Sequence, residues 1–137
     1  MLSLIQSLFL LALSLIHFSW VFGSKLGFDK ALPTNIEGKK ILNPSKFDSA
    51  MVAIGLLLFA TFYLLKGDFI ALSVPSYILT YAGWTISAIF ILRAVGDVKY
   101  IGFFKKVRIT DFAKLDTLFY SPLCLFLGIN GVWLELV

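Results

Sequence analysis

A chain of 137 residues is one domain's worth of sequence, yet 59% of it is apolar and only 15% charged, with a mean hydropathy of +0.91. A soluble fold this small has too little interior to hide so much apolar surface, so the composition excludes an ordinary soluble domain and indicates an integral membrane protein. The net charge of +4 sits in blocks, and the single cysteine, Cys124, excludes an internal disulfide and a cysteine-built metal cluster.

Four uncharged runs are long enough to cross a bilayer, which takes about 17–25 mostly apolar residues. The first covers residues 2–22. No Lys or Arg precedes Lys25, so the run lacks the basic start of a signal peptide and reads as a retained helix. Along it Ser3, Gln6, Ser7, Ser14 and His17 fall within an arc of about 100° at helical spacing. Lipid offers such groups no hydrogen bonds, so this stripe should face protein.

The second span is placed at residues 47–65, with Ala50, Ala53, Leu57, Ala60 and Thr61 on its packing face. A tight hairpin through Pro75 leads to the third, residues 76–95. There Tyr77, Thr80, Tyr81, Trp84, Ser87 and Ala88 share a face, either for helix packing or as a pocket wall built on Tyr81 and Trp84. The fourth is placed at residues 117–135. Ser121-Pro122 marks a helix start there, or a kink in an earlier helix that Thr110 and Asp111 can cap. Thr117, Ser121, Cys124, Gly128, Gly131 and Glu135 recur every three or four residues, and such small residues let helix backbones approach closely. Trp20 and Trp133 stand near span ends, as interfacial anchors do.

The expected fold is therefore all-α: an antiparallel four-helix bundle in the membrane, residues 1–137 forming a single transmembrane domain. Orientation follows from Lys and Arg near the spans. One side receives Lys25, Lys30, Lys39, Lys40 and Lys46 from the first loop, and Arg93, Lys99, Lys105, Lys106, Arg108 and Lys114 from the third. The other side receives only Lys66. Both long basic loops are expected to be cytoplasmic, and the short hairpin and both termini extracytoplasmic.

This topology gathers His17, Trp20, Arg93, Asp97, Tyr100, Asp111, Asp116 and Tyr120 at one membrane face. Arg93 and Asp97 are spaced as a helical i, i+4 pair, which leaves Asp116 to meet His17 across helices. Such a cluster is either a salt-bridge network clipping helix ends or a site for an anion, a proton or a polar headgroup. With one histidine and no carboxylates at ligand spacing, no metal site and no cofactor are expected. The aromatic and basic loop Lys99–Lys106 suits an anionic cytoplasmic leaflet, not a nucleic acid.

Three stretches carry a family likeness: His17-Phe18-Ser19-Trp20; residues 93–105, from Arg93-Ala94-Val95-Gly96-Asp97 to Phe104-Lys105; and residues 111–124, from Asp111-Phe112 to Tyr120-Ser121-Pro122-Leu123-Cys124. In these the chain resembles the small bacterial membrane proteins of domain-of-unknown-function family 3995. The resemblance implies four spans, no established biochemical role, and marked positions at His17, Trp20, Arg93, Gly96, Asp97, Tyr100, Gly102, Asp116, Tyr120 and Pro122. The chain departs from the pattern at Val98-Lys99, where an aromatic and an Arg are expected, and at Phe22-Gly23-Ser24, where a second Gly is expected.

No catalytic motif stands out, so enzymatic activity is left open. The leading expectation is an accessory or interaction protein of the bacterial inner membrane, working through helix contacts as a homo-oligomer or within a larger complex. The alternative is a membrane enzyme or carrier that holds an amphipathic, lipid-like molecule in a cytoplasmic-face pocket. There Arg93 or Lys99 would bind an anionic head, and His17 and Asp116 would exchange protons. Ion conduction ranks last, because the middle of each span lacks an acidic or basic residue.

Overall fold

The computed structural model describes the whole chain, Met1–Val137. It is helical without a strand, and four of its helical runs are long and apolar enough to cross a membrane. The first three are α1 (Leu2–Val21), α2 (Lys46–Lys66) and α3 (Ser76–Val95). The fourth, Asp111–Leu136, is composite: α4 (Asp111–Leu115), a π-helical turn (Asp116–Tyr120) and α5 (Ser121–Leu136).

Local chemistry explains the ends. At the start of α2, Ser45 accepts from the Asp48 N–H while the Asp48 carboxylate accepts from the Ser45 N–H, a reciprocal capping box. After α1 the chain turns left-handed at Gly23, φ +97°, and the Ser24 N–H reaches back to the Ser19 carbonyl. Thr110 caps α4 by accepting from the Ala113 N–H at 3.1 Å. The fourth helix thus begins at Asp111, ahead of the span start placed at residue 117, and runs through Pro122: of the two sequence readings, the earlier helix capped by Thr110 is the one observed. Its register widens just before the proline: the Ser121 N–H bonds the Asp116 carbonyl, five residues back. A proline has no N–H to give, and a π turn is one way a helix absorbs that gap.

The chain divides into two compact units, one of Met1–Ser24, Pro44–Ile86 and Asn130–Val137, the other of Lys25–Asn43 and Ser87–Ile129. In the first, α1 and α2 run antiparallel. Ser7 Oγ donates to the Ala60 carbonyl at 2.8 Å and Ser14 Oγ to the Ala53 carbonyl at 2.7 Å. A step along α1 is matched by an equal step back along α2, and the two alanines leave room for the approach. Ser3, Gln6, Ser7 and Ser14 are buried, as their spacing requires. Asn130 donates its side-chain N–H to the Gln6 side-chain oxygen. Lys66 pairs with Glu135 at 2.9 Å, and Glu135 lies over Gly83, where a Cβ would meet its Oε1 at 1.6 Å.

Two packing faces differ from the sequence reading. On α2, Ala53 and Ala60 are buried, but Leu57 and Thr61 are exposed, and Ser49, Phe62 and Tyr63 take their place inside. Thr61 satisfies its hydroxyl on its own helix, at the Leu57 carbonyl, so it needs no interhelical partner. On α3, Tyr77, Thr80, Tyr81, Trp84 and Ala88 face outward, and the buried row includes Gly83, Ile86, Ser87, Phe90 and Ala94. Tyr and Trp are amphipathic, so polarity alone does not mark which way they point in a membrane helix. Tyr81 lines an apolar groove of about 510 Å³ with Phe59, Phe62 and Tyr77; Trp84 does not.

In the second unit, α5 crosses α3 at Gly128. A Cβ there would lie 2.6 Å from Ile91 Cγ1 and 3.2 Å from the Ser87 carbonyl oxygen. Ser121 and Gly128 are buried there and Cys124 partly so, whereas Thr117 is exposed; Gly131, in the first unit, is also buried. The first loop adds a short 3₁₀ turn at Asp29–Ala31.

Candidate functional site

The polar centre of the second unit is built by a loop that closes on itself. Gly96, at φ +82°, ends α3, and Gly102, at φ +87°, lies against it. A Cβ on Gly96 would come 1.8 Å from the Ile101 carbonyl oxygen, and one on Gly102 2.2 Å from that of Val95. Only glycines allow this contact. The Phe103 N–H then bonds the Ala94 carbonyl at 2.8 Å, returning the chain to the last turn of α3.

That closure carries Gly102 and Lys105 onto Asp116, the first residue of the π turn. Asp116 Oδ2 accepts from the Gly102 N–H at 2.8 Å and from Lys105 Nζ at 3.1 Å; Oδ1 accepts from Arg93 Nη2 at 3.0 Å. Lys105 Nζ also donates to the Gly102 carbonyl at 2.9 Å and to Thr117 Oγ1 at 2.6 Å. All three of its N–H bonds are thereby used. The Lys105 and Asp116 side chains are both 0% exposed, while Arg93 keeps 33% of its side chain accessible. Burying each ion costs several kcal/mol after relaxation, about what close pairing and complete hydrogen bonding can offset.

The count of charges does not close. Two cations, Arg93 and Lys105, share one carboxylate. Arg93 Nη1 is buried with no acceptor, and Ser121 Oγ, on the first residue of α5, is buried with no partner. The Asp116 carboxylate is fully occupied by three donors from within the protein. An under-satisfied guanidinium is a good anion holder.

The residues singled out by sequence separate into three groups. Arg93 and Asp116 come together. Asp97 does not pair with Arg93: its Oδ1 accepts from the N–H groups of Lys99, Tyr100 and Ile101 at 2.8–3.0 Å. Partial burial pushes its carboxyl up, but those N–H bonds outweigh that and hold it below the usual range. Tyr100 lies beneath the Lys99 ammonium, 5.1 Å from its ring centre. Asp111 is exposed in the first turn of α4, where a negative charge suits the helix dipole. Tyr120 packs near Phe112 and points its hydroxyl at the Lys30 carbonyl, 3.4 Å away.

His17 belongs to the other unit. Its Nδ1 donates to the Leu13 carbonyl at 2.8 Å and its ring rests on Trp20 at 4.6 Å. The Asp116 carboxylate that a His17 pairing would need is held by Arg93, Lys105 and Gly102. The sequence reading counts Lys105 among the loop cations and marks Gly102 through the family likeness, but assigns neither to Asp116. The paired glycines at 96 and 102 were the one signal that the basic loop folds back.

Comparison with known proteins adds the following. A family model described as Protein of unknown function (DUF3995) matches residues 10–130. No curated protein and no solved structure matches the chain.

Proposed function

The chain belongs to the DUF3995 family, a family described by no activity, and from its own site we propose that it binds an anionic amphiphile in the membrane. The observation that carries this reading is the two-to-one ratio of cations to carboxylate at Asp116, with Arg93 Nη1 left without an acceptor. A phosphate or carboxylate head against the accessible part of Arg93 would complete the charge count. Arg93 is the residue a ligand can reach, since Lys105 is sealed and fully bonded. In this reading Lys105, Gly102 and Thr117 position Asp116, and Asp116 holds the guanidinium in place. His17 has no chemical part, and neither a metal nor a cofactor is called for.

The reading extends to placement. We place the protein in a bacterial inner membrane, as the family likeness implies, and the excess of Lys and Arg in the two long loops favours an orientation with those loops cytoplasmic and both termini outside. In a second reading the protein is an accessory or interaction protein, as a homo-oligomer or within a larger complex; Gly128 and Ser121 are buried within the chain, so its contacts would use other faces. Tyr77, Tyr81 and Trp84, exposed on α3, favour this second reading, in which that face meets another membrane protein.

The test is thermal unfolding of the purified protein with added single-chain lipids. Lysophosphatidic acid should raise the midpoint of the wild type, by about 2.7 kcal/mol of stabilisation at a hundredfold excess over Kd. Uncharged monoacylglycerol should not, and Arg93→Gln should lose the effect. Equal stabilisation by the uncharged lipid would overturn the reading.

A further inference from the structure

A second feature of the same unit points outward. Val98 has φ +68°. The left-handed region is sterically poor for any L-residue with a Cβ and worst for a β-branched one; Gly, Asn or Asp would fit there with little strain. The cause lies next door. Three N–H groups in a row converge on Asp97, and Gly96 and Gly102 clamp the ends, so the chain between them has no freedom to relax. Strain in a folded chain persists where the surroundings over-determine it, and it gathers at working positions.

The side chain itself is not packed away inside the protein: Val98 is 50% exposed. An apolar side chain held in a strained pose and turned to the outside implies contact with something apolar. The loop begins one residue after α3 ends, which places it at the depth where a spanning helix leaves the hydrocarbon for the headgroups. Around it stand the exposed cations Lys99 and Lys106 and the exposed apolar Phe104 and Ile109. The whole unit holds ten of the twelve Lys and Arg but five of the eight Asp and Glu, so its surface is strongly basic.

We propose that the loop Gly96–Gly102 is a rigid interfacial wedge for an anionic lipid leaflet. Val98 enters the upper acyl region, and Lys99 and Lys106 contact lipid phosphates on either side. Closure by Asp97 and the glycine pair fixes the wedge before it meets lipid, so no ordering of the loop is needed on contact. This contact is separate from the Arg93 site, which the test below leaves unaltered.

The test compares melting of the full-length protein in neutral detergent, in phosphatidylcholine nanodiscs, and in nanodiscs that also contain phosphatidylglycerol. Val98→Asn should melt higher than wild type in detergent, since strain is relieved, and lose that advantage in both nanodiscs. Lys99→Gln/Lys106→Gln should erase the extra stability that phosphatidylglycerol gives the wild type. A nitroxide at position 98, placed by Val98→Cys in a Cys124→Ala background, should be relaxed more by oxygen than by a water-soluble nickel chelate. Equal gains by Val98→Asn in all three media would overturn the proposal, as would a phosphatidylglycerol increment that survives loss of both lysines. Dominant relaxation by the nickel chelate would do so too, leaving an aqueous protein partner as the surface that meets the loop.

Discussion

Lys105 Nζ lies 3.1 Å from Asp116 Oδ2, and neither side chain is open to solvent. Removing one member of a buried pair leaves the other charged and unpaired, at a cost of about 3–5 kcal/mol, whereas replacing both with apolar groups is often near neutral. Asp116→Ala should therefore unfold far more readily than wild type in denaturant titration. Lys105→Met/Asp116→Leu should recover part of the loss despite carrying two changes. Equal or greater loss in the double variant would mean that Asp116 is needed chiefly for Arg93 and the Gly102 N–H.

Glycine substitutions separate loop closure from loop freedom. Gly38 and Gly102 both have positive φ, but a Cβ on Gly38 meets nothing within 4 Å, whereas one on Gly102 would strike backbone at 2.2 Å. Gly38→Ala should cost about 1 kcal/mol from the dihedral alone. Gly102→Ala should cost clearly more, because the Asp116 donor moves with it. Gly128→Leu should abolish folding instead of merely altering oligomeric state, as seen by size exclusion and melting together. A well-folded Gly128→Leu monomer would refute the close α3–α5 crossing.

These positions also show what was legible beforehand. Uncharged runs give the spans, because a bilayer imposes length and apolarity on each segment separately. The Ser3, Gln6, Ser7 and Ser14 row and the Gly128, Gly131 row follow from helical period and the lack of hydrogen-bond partners in lipid. The partner of Arg93 was not legible. The i, i+4 spacing points to Asp97 only if α3 continues, and it stops at Val95, with Gly96 turning the chain left-handed. Asp97 then serves three backbone N–H groups, and Asp116 arrives from twenty-three residues away. Lys105 reads as one more solvated loop cation, because its burial depends on a loop closure that Gly96 and Gly102 permit but whose target, Asp116, no local pattern encodes. The start of the fourth helix is left between two readings by Pro122, which ends most helices but here is absorbed by a π turn, so the earlier cap at Thr110 is the true start.

Acid should loosen the Gly96–Gly102 loop in a narrow range. The folded-state pKa of Asp97 lies below its ordinary value, so its contribution is complete above the unfolded carboxylate range, near pH 4, and is lost as pH falls through the lower folded value. Solvent access keeps the effect small. Amide exchange of Lys99, Tyr100 and Ile101, corrected for intrinsic rate, should be steady from neutrality to about pH 4 and rise below it. Asp97→Asn should raise it at neutral pH. Protection unchanged in Asp97→Asn would show that the glycine clamp alone orders the loop.

The most direct measurement is native mass spectrometry of the protein extracted with its own lipids, wild type beside Arg93→Gln. A stoichiometric anionic adduct on the wild type, lost in Arg93→Gln while Lys114→Gln keeps it, is the predicted result. An adduct retained in full by Arg93→Gln, or a wild type that carries no anion at all, would contradict an anion-binding role for this cluster.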